Sequence, residues 1–216
     1  MNTAEYLNTL IECKEDMKVA LIEQGAPPTG GLSTYADAID NIVIEDKIPL
    51  VDGTIFFNTA SNIDFSIFDF STIKNCNNFC YNMEKLTEFN VTTEFYPDNM
   101  SDMFENCTSL NNVCSIDASN VEYCYDMFYK CKNLKNLGGL INLGKNLDLS
   151  YPTITTDMFI GCTNLTHESI LNIFNNLYDM SNNIILQLQF EPNIFNMLSA
   201  EDIAIATNKG WAISSY

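Results

Sequence analysis

Apolar residues follow three different rhythms along the chain. Between residues 3 and 24, Tyr6, Leu10, Cys13, Met17 and Ala20 fall at a 4-3-4-3 spacing, widened by Leu7, Ile11, Leu21 and Ile22. That is the one-sided stripe of an amphipathic helix. Thr3 can cap its start, and Gly25 with Pro27-Pro28 stops it. Beyond the polar link Thr29-Gly30-Gly31, a second short helix is predicted from about Ser33 to Ile42, with Tyr35, Ala38, Ile39 and Ile42 on one face. From Pro49 to Phe65 the rhythm changes. Val51, Ile55, Phe56, Phe57 and Ile63 stand among turn formers and predict strands, read as an irregular first repeat that shields an apolar end.

The third rhythm is a repeat. Ser101 to Leu110 (SDMFENCTSL) recurs as Tyr125 to Leu134 (YDMFYKCKNL), as Thr156 to Leu165 (TDMFIGCTNL) and, degenerately, as Asn77 to Leu86 (NNFCYNMEKL). The aligned positions Cys80, Phe104, Phe128 and Phe159 are 24, 24 and 31 residues apart. Such a period marks a stacked-repeat architecture. Three tetrads, Phe68 to Ser71, Ile116 to Ser119 and Leu147 to Ser150, each lie twelve residues before the aligned position of their copy, and Tyr96-Pro97 matches Tyr151-Pro152. The long spacing implies about seven extra residues, expected as an outward loop at Gly138-Gly139-Leu140 to Gly144. Within a unit, Leu110, Val113 and Ile116 supply a buried strand. Val121 to Phe128 is expected to return through a short turn and one helical or 3-10 turn.

Past the repeats, a helix is predicted from about His167 to Tyr178 and a strand at Ile184 to Phe190, with Ile184, Leu186, Leu188 and Phe190 alternating. Ser199, with Asp202 three residues on, has the form of a near capping box. Gly210 is read as the C′ glycine of that helix, and Trp211-Ala212-Ile213 as a closing strand. The expected organisation is an N-terminal helical anchoring or docking module over residues 1–46, a repeat solenoid over 47–166 and C-terminal capping repeats over 167–216.

Composition narrows what such a stack can do. A formal charge of −18 argues against binding nucleic acid through its phosphates, and no apolar run approaches the length needed to span a bilayer. Met1-Asn2-Thr3-Ala4-Glu5-Tyr6 has neither a basic nor an apolar leader character, so no secretory signal is expected there. The eight cysteines are read as packing residues. Cys107, Cys131 and Cys162 hold one repeat position and are expected as a reduced internal ladder, with Phe104, Phe128 and Phe159 and with Leu110, Leu134 and Leu165 as parallel core columns. Cys76 and Cys124 share another packing position. No Cys-x-x-Cys spacing suggests zinc.

No catalytic, cofactor or metal site is expected. His167 is the only histidine and has no nucleophile motif beside it. No phosphate loop, metalloprotease or dinucleotide fingerprint occurs. Asp69, Asp117 and Asp148 recur as turn formers, bonding backbone N–H groups two residues on, and no Asp-x-Asp-x-Asp-Gly calcium loop exists. Tyr81, Tyr96, Tyr123, Tyr125, Tyr129 and Tyr151 fall between core positions, either as a contact surface or as scattered half-buried rings.

The recurring Met-Phe-x-x-Cys-x-x-Leu, preceded by Asp-x-Ser-x-Val, resembles the BspA-like leucine-rich repeats of bacterial surface proteins and phage structural proteins, over about residues 66 to 166. Leu198 to Trp211 is similar to the closing segment of repeat-bearing tail and fibre proteins of tailed phages. The opening, from Tyr6-Leu7 through Lys14, Lys18 and Ile22 to Tyr35-Ala36, looks like their leader helices. The resemblance implies an α/β leucine-rich-repeat solenoid of about 24-residue repeats. It also implies a non-enzymatic virion protein, with Tyr6, Leu7, Leu10, Met17 and Leu21 docking on other virion proteins. The solenoid would serve assembly or bind a host cell-surface receptor, and a homo-oligomer is compatible with the helical stripe. The other expectation is a bacterial surface adhesin of the same repeat type, binding a host protein or glycan.

Overall fold

The computed structural model describes residues 47–50, 56, 63–151, 153–181 and 186–216. The chain divides into two units, Met1–Lys47 and Ile48–Tyr216. The two N-terminal helices, the docking stripe and the expected strand residues Val51, Ile55 and Phe57 lie outside the described residues. The repeats and the C-terminal segment both fall in the second unit.

Short parallel strands carry the repeats. β1 (Ile48–Pro49) pairs with β2 (Phe68–Asp69). β3 (Glu88–Phe89), β4 (Asn112–Val113) and β6 (Asn136–Leu137) form one three-stranded sheet, and β5 (Ile116–Asp117) pairs with β7 (Leu140–Ile141). The register is the sequence period itself: Glu88 pairs with Asn112, Asn112 with Asn136, and Ile116 with Leu140. The expected buried strand from Leu110 to Ile116 is thus two dipeptide strands. Cys114 and Ser115 stand between them.

The return segments contain no helical turn. Asn78, Asn82, Asp102, Asn106, Asp126 and Lys130 have φ between 49° and 60°, so left-handed residues bracket Cys80, Phe104 and Phe128 two before and two after. Backbone N–H groups then alternate in direction. Those of Asp102, Phe104 and Asn106 donate to Tyr125, Met127 and Tyr129 of the next repeat, whereas those of Met103, Glu105 and Cys107 donate three residues back within their own. A helix would direct every N–H along the chain and leave neighbouring repeats without backbone bonds. Asn and Asp tolerate the left-handed region, which is why they recur in the motif.

The extra residues of the long repeat are not at Gly138-Gly139-Leu140, the first part of the expected loop. β7 keeps the 24-residue register there, and a Cβ on Gly138 would lie 2.6 Å from the backbone N of Ser115. This glycine therefore permits close approach between repeats rather than an excursion. The insertion follows β7. The N–H of Asp148 bonds the carbonyl of Glu122, and the Cys124 thiol reaches Ile154 O. Leu147 to Ser150 is consequently not the spatial counterpart of Ile116 to Ser119. Leu140-Ile141 holds that place.

Side chains pack in columns. The rings of Phe104, Phe128, Phe159 and Phe190 stack at centroid separations of 5.3, 5.6 and 5.4 Å with interplanar angles of 11° or less. Toward the N-terminal side the column gives way to an edge-on cluster of Phe56, Phe65, Phe68, Phe70, Phe79, Phe89 and Phe95. Leu110, Leu134 and Leu165 are buried alongside.

At the C-terminal side, secondary structure changes character. α1 (His167–Asn176) begins at the N-cap Thr166 and buries Ile170, Ile173 and Phe174. It ends two residues before the expected Tyr178, where Leu177 turns extended. Ser169 and Thr166 replace a further strand. The N–H of Leu137 donates to Ser169 Oγ, which in turn donates to Lys135 O, so the edge of β6 has no free pair of groups at this point. β8 (Leu186–Phe190) pairs in parallel with β9 (Trp211–Ser215). Between them lie α2 (Pro192–Phe195) and α3 (Ala200–Thr207). The capping box at Ser199 and Asp202 is complete. Gly210, with φ 84°, follows the C-cap Asn208 by two residues, one later than a C′ glycine.

Candidate functional site

The seven cysteines among the described residues are free thiols, and six are buried. Cys107, Cys131 and Cys162 point the same way into the core. Each thiol donates to the carbonyl of the aligned position one repeat earlier: Cys107 to Cys80 at 3.0 Å, Cys131 to Phe104 at 2.9 Å, Cys162 to Phe128 at 3.1 Å. Burial pushes the Cys107 thiol up to about 12 and raises Cys131 and Cys162 as well. Protonated, hydrogen-bonded sulfurs of this kind pack and do not react.

Several side chains with acid–base capacity are spent locally. His167 Nε2 lies 2.9 Å from Asp202 Oδ2, and the same carboxylate accepts from the Ser199 N–H. His167 and Ser199 together hold the Asp202 carboxyl at about 2. Ser199 Oγ accepts from the Asp202 N–H, so the cluster is a helix cap bridged to α1. Asp69, Asp117 and Asp148 each accept from the N–H two residues on, at 2.9 to 3.0 Å. That bond holds the Asp148 carboxyl below its usual range. Asp126 is raised by burial and by Asp102 and Asp157. Glu105 is raised by burial and by Asp102. No group of three or more His, Cys, Asp or Glu among the described residues is placed to hold a metal ion.

The tyrosines divide. Tyr81, Tyr96, Tyr123, Tyr125 and Tyr129 are half-buried, and Tyr151 is exposed. Tyr125 and Tyr151 meet edge-on at 6.1 Å, and the Tyr123 hydroxyl donates to Asp148.

Among the described residues, a concavity lies elsewhere, over the outward side of β3, β4 and β6. A cleft of about 380 Å³ is floored by these strands and walled by α1. A second, of about 440 Å³, continues from it through the shared residues Glu88 and Asn90 to Asp64. Strand register places Glu88, Asn112 and Asn136 side by side, and Asn136 Nδ2 donates to Asn112 Oδ1 at 2.7 Å. Glu88, Asn90, Glu168 and Asn172 reach the trough with no side-chain hydrogen bond among the described residues. The sequence carried the signal for this row. Glu88, Asn112 and Asn136 each stand two residues after the repeat leucine, at the 24-residue period. A polar residue beside a turn does not stand out until the register shows that its copies are neighbours.

No helix among the described residues is long and apolar enough to cross a membrane. No curated protein and no solved structure matches the chain. The family described as "Mycoplasma protein of unknown function, DUF285" matches residues 53–174, and it is related to BspA-like repeat proteins. That span covers the aligned repeats, the stacked phenylalanines up to Phe159 and most of α1. The chain therefore belongs to the DUF285 family.

Proposed function

We propose that this chain is a non-enzymatic structural protein of a phage virion, part of a tail, baseplate or fibre-associated appendage. Its repeats form a leucine-rich-repeat solenoid used for protein–protein assembly or host-surface binding. The observation that carries the binding role is the open polar trough on a stack of repeats held in strict register. A rigid scaffold presenting unused hydrogen-bonding groups is suited to holding a partner without reorganising. The stripe Tyr6, Leu7, Leu10, Met17 and Leu21 supplies the virion-facing contact, and the Leu198 to Trp211 ending, similar to tail-protein endings, supports the same setting.

A second reading, a bacterial surface adhesin of the BspA-like type, is favoured by the family match. Mass spectrometry of purified phage particles and antibody labelling of intact cells separate the two. Recovery of the chain in stoichiometric amount from particles is expected. Its absence from particles together with labelling of the cell surface replaces the first reading by the second.

A further inference from the structure

We infer that the trough over β3, β4 and β6 holds an extended, Lys- or Arg-bearing segment of a partner protein. This rests on reading the chain as a binding protein and names the partner's chemistry. Three carboxylates, Asp64, Glu88 and Glu168, border the trough, and no Lys or Arg lines it. An anionic ligand is repelled, and a cationic one is drawn in over a distance set by screening. Between the carboxylates lie amides. An Asn side chain offers one acceptor and one donor group, the same pair that each residue of an extended backbone presents in reverse. The Asn136 to Asn112 bond uses one donor of the first and the acceptor of the second. Both residues line the trough, and the Asn112 amide N–H₂ and the Asn136 carbonyl make no hydrogen bond among the described residues.

Parallel strands are about 4.8 Å apart and an extended chain rises about 3.3 Å per residue, so the row from Glu88 to Asn136 spans about three partner residues. The aromatic residues of the floor, Phe65 and Phe89, are fully covered. No ring face is offered for stacking against a sugar.

Fluorescence anisotropy with the full-length protein tests the assignment. The probe is a labelled alternating Lys-Ala decapeptide, beside an alternating Glu-Ala decapeptide and a neutral cello-oligosaccharide, at physiological ionic strength. The Lys-Ala peptide is expected to bind and the other two are not. Glu88→Gln and Asn112→Leu should each weaken it about tenfold. Glu84→Gln, an exposed charge outside the trough, should change Kd by no more than about twofold. Asn112→Leu keeps the net charge, so an unchanged Kd for that variant, with an unchanged melting temperature, overturns the proposal by assigning binding to the overall charge of −18. Binding of the oligosaccharide in place of the peptide also overturns it. Failure of the virion reading would show in the particle proteome and leave these affinities untouched.

Discussion

At the scale of single residues, the repeat works by pairing an apolar position with a backbone geometry that few residues accept. Gly161 occupies the place of Asn82, Asn106 and Lys130, and all four have positive φ. A Cβ at Gly161 would also lie 2.8 Å from Lys130 Cα. Gly161→Ala should therefore lower stability by about 1–3 kcal/mol in urea unfolding, and a neutral outcome would show that this turn relaxes. The thiols give a second residue-level expectation. Among the cysteines of the described residues, alkylation of the native protein at pH 8.5 should reach half-buried Cys114 first and leave Cys76, Cys80, Cys107, Cys124, Cys131 and Cys162 unmodified until denaturant is added, as read by peptide mapping. The Cys107, Cys131 and Cys162 register was visible in the sequence. Their bonds to the carbonyls of the preceding repeat were not, because a spacing says which residues share a column and nothing of what each polar atom meets.

At the scale of elements, the ring column and the helix caps carry the stack. Phe128 sits between Phe104 and Phe159 at 5.3 and 5.6 Å. Phe128→Ala should cost about 3–5 kcal/mol, since the neighbours on both sides cannot close the gap without breaking register. Denaturant unfolding measures this, with Phe128→Leu expected to lose less. The C-terminal Lys-Gly-Trp sequence has a role that its own residues did not disclose. Lys209 Nζ donates to the carbonyls of Phe174, Asn175 and Leu177 at 2.6 to 3.0 Å, and Trp211 Nε1 donates to Tyr178 O. The end of α1 is thus capped by a residue more than thirty positions away. Lys209→Met should cost about 2 kcal/mol and speed amide exchange in the last turn of α1 relative to its first. Equal exchange would remove the cap from the account.

For the whole molecule, charge sets the response to solvent. The Asp126 and Glu105 carboxyls are raised, so their contribution is fully present below the unfolded value of about 4 and is lost as pH rises through the higher folded value. Asp202, lowered to about 2, and Asp148 and Asp179, also lowered, act oppositely. Their contribution is present above the unfolded value and is lost as pH falls through the folded one. The melting temperature should therefore rise as pH is lowered toward about 4, then fall below it. Asp126→Asn should raise it at pH 7, with the gain shrinking on acidification. A monotonic profile for the wild type would show that repeat-to-repeat repulsion is negligible. Added salt at pH 7 should likewise raise the melting temperature of a chain with formal charge −18.

The period, the shared positions of Phe104, Phe128 and Phe159 and of Cys107, Cys131 and Cys162, and most element types near the C-terminus were determined by the sequence alone, because each depends on residue spacing and on local propensities that act within a few positions. The 24-residue offset, the turn-forming Asp69, Asp117 and Asp148, and the helix start at His167 belong to that class. Tertiary structure decided the rest: where the seven additional residues go, which carbonyl each thiol meets, how Lys209 closes α1, and that Glu88, Asn112 and Asn136 share one trough. These depend on which repeat lies against which, and a pattern read along one dimension leaves such neighbours undetermined until the chain stacks.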